Sequence, residues 1–187
     1  FWGGGDLTFL ELEKLRLLEK INLDEKLKQE LPKSAAGLEL RSKEDYWFAS
    51  AASSFGIFFN KTLLKWLNIA EPKTWQDLTD PKFYDLLSFA DIRHSSSSLV
   101  LLTIILLGHS WEEAWKILMK VAGNTKQFTL SSAEPIKKVV TGDTVAAGSI
   151  DFYAYAKIAK LGAKSLGFVL PSQLTLLSSD PVAILKG

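Results

Sequence analysis

The stretch "ADIRHSSSSLVLLTIILLGHSWEE", residues 90–113, decides how this chain is read. Four serines, Ser95 to Ser98, run into the apolar segment Leu99–Leu107, interrupted by Thr103 alone, and "GHSW" follows. That apolar segment is about half the length of a membrane span. With serines in front and Gly108 behind, it predicts a buried helix closed at Gly108. A second helix follows, with Ser110 and Glu113 as its capping box and a stop at Gly123.

The serines admit three readings. "GHSW" shares Gly108 and Ser110 with the nucleophile elbow G-x-S-x-G of hydrolases, but Glu112 replaces the last glycine. Both histidines, His94 and His109, precede Ser110, the reverse of that chain order. A flexible joint would be longer and richer in glycine. A short loop from a strand into a helix needs only capping serines. The third reading is an anion site. First-turn N–H groups lack internal partners and the helix dipole adds partial positive charge. Ser95, Ser96 and Ser97 add hydroxyl donors, Arg93 a possible bidentate partner for phosphate or carboxylate, and His94 a further donor.

Working outward, strands and helices alternate from about residue 60 to 170, the pattern of an α/β sheet. "LLSFAD", "KQFTL", "TVAAGSI" and "LGFVLP" read as strands, the last as a central one. "KTLLKWLNIA" reads as a short helix and "EPKTWQDLTDPKFYD" as turns. "SSAEPIKKVVTG" reads as a helix capped by Ser131 or Ser132 and closed by Gly142, and "DFYAYAKIAKLG" as one capped by Asp151. Helix starts then gather at the carboxyl ends of strands, where open α/β sheets hold ligands. Towards the N-terminus, Thr8 and Glu11 read as a capping box, and Leu15, Leu18 and Ile21 extend a helix over 9–21. Polar loop is expected from there to Asp45. "DYWFASAASSFGIFFN" reads as two strands with a bend at Ser53–Ser54.

Composition narrows the classes. The 187 residues carry a net charge of +1 with acids and bases interleaved, which gives no basic face for nucleic acid. Cysteine is absent, which excludes disulfides, thiolate zinc and thiol catalysis. Trp66, Trp111 and Trp115 are expected in the core.

"DYWFASAASSFGIFFNKTLLKWLNIAEPKTWQDLTDPKF", "TGDTVAAGSIDFYAY" and "GFVLPS…DPVAILKG" together resemble type 2 periplasmic substrate-binding proteins of ABC transporters, in the ferric-iron or small-anion branch. The resemblance implies an α/β fold of two lobes joined by a strand hinge. Residues 1–54 would be part of lobe I, 55–168 lobe II, and 169–187 the return strand, in a chain truncated at both ends. It implies a periplasmic or extracellular monomer, free or lipid-anchored, that delivers a small anionic solute to a membrane permease, with no cofactor and no catalysis. Solute would be held in an interlobe cleft by Gly4 of the "WGGG" loop, Ser53, Ser54, Arg93, His94, Ser95, Ser96, Ser97, Ser132, Asp151, Phe152 and Tyr153. Trp2 and Trp47 would lie closer to that cleft. Ferric-ion binders of this branch carry adjacent tyrosines after the "AAG" strand. Here Tyr153 is followed by Ala154, and Tyr155 lies about 100° further round the helix. A phosphorylated or carboxylated compound, or a metal chelate, therefore fits better than a bare ferric ion. A hydrolase using Ser110 or the His94–Ser95 region, and a sensing domain of the same fold, are the alternatives.

Overall fold

The computed structural model describes residues 1–35, 37–172 and 174–187. Two compact units emerge: Phe1–Ser53 with Leu177–Gly187, and Ser54–Leu176. The chain returns to the first unit at 176/177, eight residues beyond the 168/169 boundary drawn from the sequence.

The first unit contains α1 (Asp6–Lys14), β1 (Leu18–Glu19), α2 (Glu25–Glu30), β2 (Ser34–Ala35), β3 (Leu38–Glu39) and the first half of β4 (Trp47–Asn60). The expected helix over 9–21 therefore begins earlier and ends at Lys14. Arg16 takes a positive φ of 58°, which breaks helical geometry, and Leu18–Glu19 pair with Leu185 and Ile184 as a strand. Leu18 is buried by this pairing, so its helical spacing from Leu15 was coincidental. No capping box forms, because Thr8 lies inside α1, whose cap is Gly5, and its Oγ1 donates to Gly4 O at 2.8 Å. The supposed loop before Asp45 includes α2, capped by Asp24. Phe9, Leu18, Trp47 and Ala183 form the unit's buried core, and Trp47 Nε1 donates to Glu13 Oε2 at 2.8 Å.

β4 is one strand of 14 residues, not two. No turn forms at the serines because extended backbone is paired on both sides of them. The first half runs beside the last strand of the chain, and the second between two strands of the second unit. The hydroxyls find carboxylates within their own units: Ser53 Oγ donates to Asp180 Oδ2 at 3.2 Å, and Ser54 Oγ to Asp151 Oδ2 at 2.5 Å.

The second unit continues with α3 (Lys61–Trp66), two 3-10 turns (Gln76–Thr79 and Pro81–Phe83), β5 (Leu87–Ala90), α4 (Ser96–Gly108) and α5 (Trp111–Asn124). β6 (Thr125–Thr129), α6 (Glu134–Thr141), β7 (Ala146–Ile150), α7 (Asp151–Leu161) and β8 (Leu166–Val169) complete it, and β9 (Leu177–Leu185) returns to the first unit. Its strands lie in the order β8-β4-β7-β5-β6. β5 is parallel to β6 and β7, while β4 is antiparallel to β7 and β8. β8 is thus an edge strand, correcting its central assignment.

Phe55, Ile57 and Phe59 alternate along β4 onto one face, where they meet Leu101, Ile104 and Ile105 of α4 and Ala114 and Ile117 of α5. Phe58 faces the other way, against Ile136 and Val139 of α6 and Ala154 of α7. Both faces are covered, which is why "FGIFF" is a continuous apolar run. At Gly148 of β7 a Cβ would come within 2.5 Å of Phe89 and 2.7 Å of Leu101, so glycine lets α4 lie close to the sheet. Trp66, Trp111 and Trp115 are not core residues: Trp66 is 79% and Trp111 68% exposed. Leu64 of α3 and Ala114, Ile117 and Val121 of α5 take the inward stripes instead.

Candidate functional site

Because β5, β6 and β7 are parallel neighbours, their carboxyl ends share one edge of the second unit. α4, α6 and α7 all begin there, five, four and no residues after their strands. Ser54 joins the same edge, since Phe55 pairs with Ile150 at the end of β7.

The three helix starts are satisfied differently. At α4, Ser95 is the cap: its buried Oγ accepts from Ser98 N at 3.3 Å. Ser96 is exposed and Ser97 half-buried, and their first-turn N–H groups have no intrahelical acceptor. Among the described residues, the hydroxyls of Ser96, Ser97 and Ser132 bond to no other residue.

At α6 the cap residue is Ala133, not Ser131 or Ser132. Ser131 still serves the turn, its Oγ accepting from Ala133 N at 3.3 Å and its carbonyl from Glu134 N at 3.2 Å. Pro135 has no N–H, so α6 presents few open donors.

At α7, Asp151 is the first helical residue rather than the cap. Its carboxylate accepts from Phe152 N at 2.6 Å, Ser54 N at 2.9 Å and Ser54 Oγ. The positive end of α7 therefore already holds a negative charge belonging to the chain. Phe152 is exposed, with its ring 4.1 Å from that of Tyr153. Tyr153 packs against the cores on both faces of the sheet.

Arg93 is committed locally. Its Nε lies 3.0 and 3.1 Å from the two carboxylate oxygens of Asp91 and its Nη2 2.5 Å from Oδ2. The Arg93 side chain hydrogen bonds, together with its backbone N–H, hold the Asp91 carboxyl far below the usual carboxylate range. The same pairing raises the Arg93 guanidinium. Nη1 makes no hydrogen bond among the described residues. His94 is exposed, and its N–H donates to Asp91 O at 3.0 Å.

The sequence reading missed Asp91, although "DIR" carries its own signal: Asp91 Oδ1 accepts from Arg93 N at 2.9 Å, a local turn that Asp favours. Asp180, partner of Ser53, had no local signal. Gly4 and Ser53 belong to the first unit, where Gly4 has a φ of 102° between two other positive-φ glycines leading into α1.

A cavity of about 460 Å³ opens beside this edge, lined by Arg93, Leu101, Ile105, Trp115, Met119 and Phe128 among others. Its walls are mostly apolar, and although Ser98 lines it, Ser96 and Ser97 do not. Among the described residues no group of three or more His, Asp or Glu is placed to hold a metal ion. "GHSW" lies between two helices, not after a strand, so the strained elbow of a nucleophilic serine is not formed. Ser110 Oγ accepts from Glu113 N as the α5 cap. His109 Nδ1 lies 3.1 Å from Ile105 O.

Residues 10–187 match the sequence model of the bacterial extracellular solute-binding proteins. The chain belongs to that family. It superposes on the periplasmic binding protein AfuA of Actinobacillus pleuropneumoniae, solved with fructose-6-phosphate bound, with a TM-score of 0.83 at 26% identity over 100% of this chain and 57% of that one. The apo ferric ion-binding protein A of Pasteurella haemolytica shares the fold, with a TM-score of 0.74 at 17% identity over 99% of this chain and 58% of that one. The fold is therefore that of the periplasmic binding proteins, as the resemblance implied. In sequence, the phosphoglycerate transport regulatory protein PgtC of Salmonella typhimurium is 27% identical over 123 residues, 66% of this chain and 31% of that protein. An uncharacterized protein of Haemophilus influenzae is 28% identical over 149 residues, 79% of this chain and 42% of that protein. The chain thus spans less than half the length of these curated relatives.

Proposed function

We propose that this chain is the solute-binding part of an ABC-type importer, working in the periplasm or outside the cell and delivering a small organic anion to a membrane permease. The reading rests above all on the first turn of α4, where the serines at 96 and 97 present amides and hydroxyls at the ligand edge of a solute-binding fold. Ser132, Tyr153 and the exposed Phe152 ring extend that edge. Arg93 orders the loop through Asp91 and offers Nη1 outward. Asp151 supplies acceptor oxygens suited to a solute hydroxyl.

Magnitudes decide what such a site must use. One helix end contributes about 0.3–1 kcal/mol per charge, up to about 2 when partly buried. Micromolar affinity needs about 8 kcal/mol. Hydrogen bonds to a charged group, at about 1.5–3 kcal/mol each, must supply most of it. That favours an anion with several acceptor oxygens, such as a phosphate ester, over a single halide-like charge. A bare ferric ion is disfavoured, because Ala154 follows Tyr153 and a second phenolate is missing from that position.

Calorimetric titration with fructose 6-phosphate, 3-phosphoglycerate and ferric citrate tests the reading. A phosphate ester should bind, and Ser96→Asp with Ser97→Asp should weaken it at least about 50-fold through like-charge repulsion at the helix start. Binding untouched by the double substitution would refute the assignment to α4. Ester hydrolysis lost in Ser110→Ala would refute a purely binding role. The word "regulatory" in the name of PgtC favours a second reading, a sensing domain that reports the same class of solute. A solute that binds but is not taken up by cells expressing the protein would select it.

A further inference from the structure

The opposite edge of the second unit's sheet carries a different chemistry. β4 runs antiparallel to β7 and β8, so its last residue, Asn60, sits at their amino ends, paired with Leu166. α3 leaves from this edge, and the segment joining α7 to β8 arrives at it. Between them lies a concavity of about 890 Å³ whose lining includes Lys61, Lys65, Lys82 and Lys164, with Glu71 as the acid in the lining. None of these four lysines has a carboxylate within ion-pairing distance among the described residues, whereas Lys126, Lys138 and Arg93 do. With Glu71 counted, the lining carries a net charge of +3 in a chain of net charge +1, a local excess of positive charge.

The cluster is also partly fixed. The Lys61 stem lies over Gly167, where a Cβ would come within 2.9 Å of its Cε, and its Nζ donates to Ala163 O at 3.0 Å. Trp66, outside the lining, directly follows Lys65 on α3. On α3, Leu64 points inward and is 1% exposed, which turns Trp66 outward at 79% exposure. Thr62, one helical turn before Trp66, lines the concavity.

We propose that this edge docks on an anionic phospholipid bilayer, with the four ammonium groups at headgroup phosphates and the Trp66 indole in the interfacial layer. Lysines on long stems keep their charge in water while the stems approach apolar material, and indole prefers the interface between water and acyl chains. An acidic protein partner fits less well, since specific protein interfaces deplete lysine and favour arginine at their centres. The docked orientation leaves the serine edge at the far end of the same sheet, free to take solute. The proposal does not depend on which solute that is.

Co-sedimentation of the full chain with vesicles of phosphatidylcholine, with and without phosphatidylglycerol, tests it at low and high salt. Each lysine near an anionic surface contributes about 1 kcal/mol, about five-fold in partition. Binding should appear with phosphatidylglycerol and fall as salt rises. Lys65→Gln with Lys164→Gln should lower the partition about 25-fold, and Trp66→Ala should lower it several-fold while Trp66→Phe restores part. Circular dichroism melts of these surface variants should match the parent, so lost binding is not lost folding. Equal binding to both vesicle types, or an unchanged partition in the double-glutamine variant, would overturn the proposal. Release by glycerol 3-phosphate at the same phosphate concentration would overturn it in favour of a small-anion site. Absence of vesicle binding, with retention on an acidic protein surface instead, would equally refute it.

Discussion

α4 and α7 begin at the same edge of the same sheet, yet their first turns are opposites. α4 starts with a neutral serine cap and, among the described residues, leaves the amides of Ser96 and Ser97 without an acceptor. α7 starts with Asp151, whose carboxylate answers its own helix end and also ties down Ser54. Position in the fold therefore makes a helix start available to a ligand only if the chain has not already supplied the anion. α6 is intermediate, its first donors taken by Ser131. The contrast leaves open donors at the start of α4 and a carboxylate supplied by the chain at the start of α7.

The largest expected effect comes from removing that acceptor. Asp151→Ala leaves the N–H of buried Ser54 unanswered and removes three hydrogen bonds to a carboxylate, for a loss of about 3 kcal/mol in denaturant unfolding. Asp151→Asn keeps the shape and should recover part of the stability. An unchanged midpoint in Asp151→Ala would mean that the two helix starts are not held differently. Ser95→Ala should cost about 1 kcal/mol, the usual loss of a cap. It should also loosen the α4 first turn, seen as faster amide exchange at Ser98 and Leu99.

The smallest effect concerns pH. Asp91 has its pKa lowered in the folded chain by Arg93, so the contribution of this pair is present above the ordinary carboxylate value of about 3.9 and fades as pH falls through the depressed one. Arg93 is exposed and Asp91 half-buried, so salt screens the pair in part. NMR titration of the Asp91 carboxyl should give a midpoint well below that of an unperturbed aspartate, and Arg93→Gln should raise it. An ordinary midpoint in the parent would show that Arg93 is free for the solute rather than engaged with Asp91.

Much of the second unit was legible because its signals are local. Ser95, Ser110 and Gly142 act within a turn of where they stand, and the strand-helix alternation fixes which helix starts share an edge. The first unit was less legible because long-range pairing overrides local pattern there. Leu15, Leu18 and Ile21 carry a helical period, but Leu18 is claimed by Leu185 at the other end of the chain. The run 49–54 lacks β-branched residues and looked like a bend, yet partners on both sides keep it extended. In the site, the engagement of Arg93 was readable from Asp91 two residues away. The bond from Ser54 to Asp151 spans 97 residues and was not. Trp66 was misplaced because six helical residues are too few for a periodic stripe to show which side faces inward.

The most direct test follows backbone amide shifts during titration with the organic phosphate that binds most tightly. Saturable shifts at Ser96, Ser97 and Ser98, with Asp151 and Phe152 responding only to hydroxylated solutes, are the predicted result. Saturation of binding with those amides silent would contradict the account.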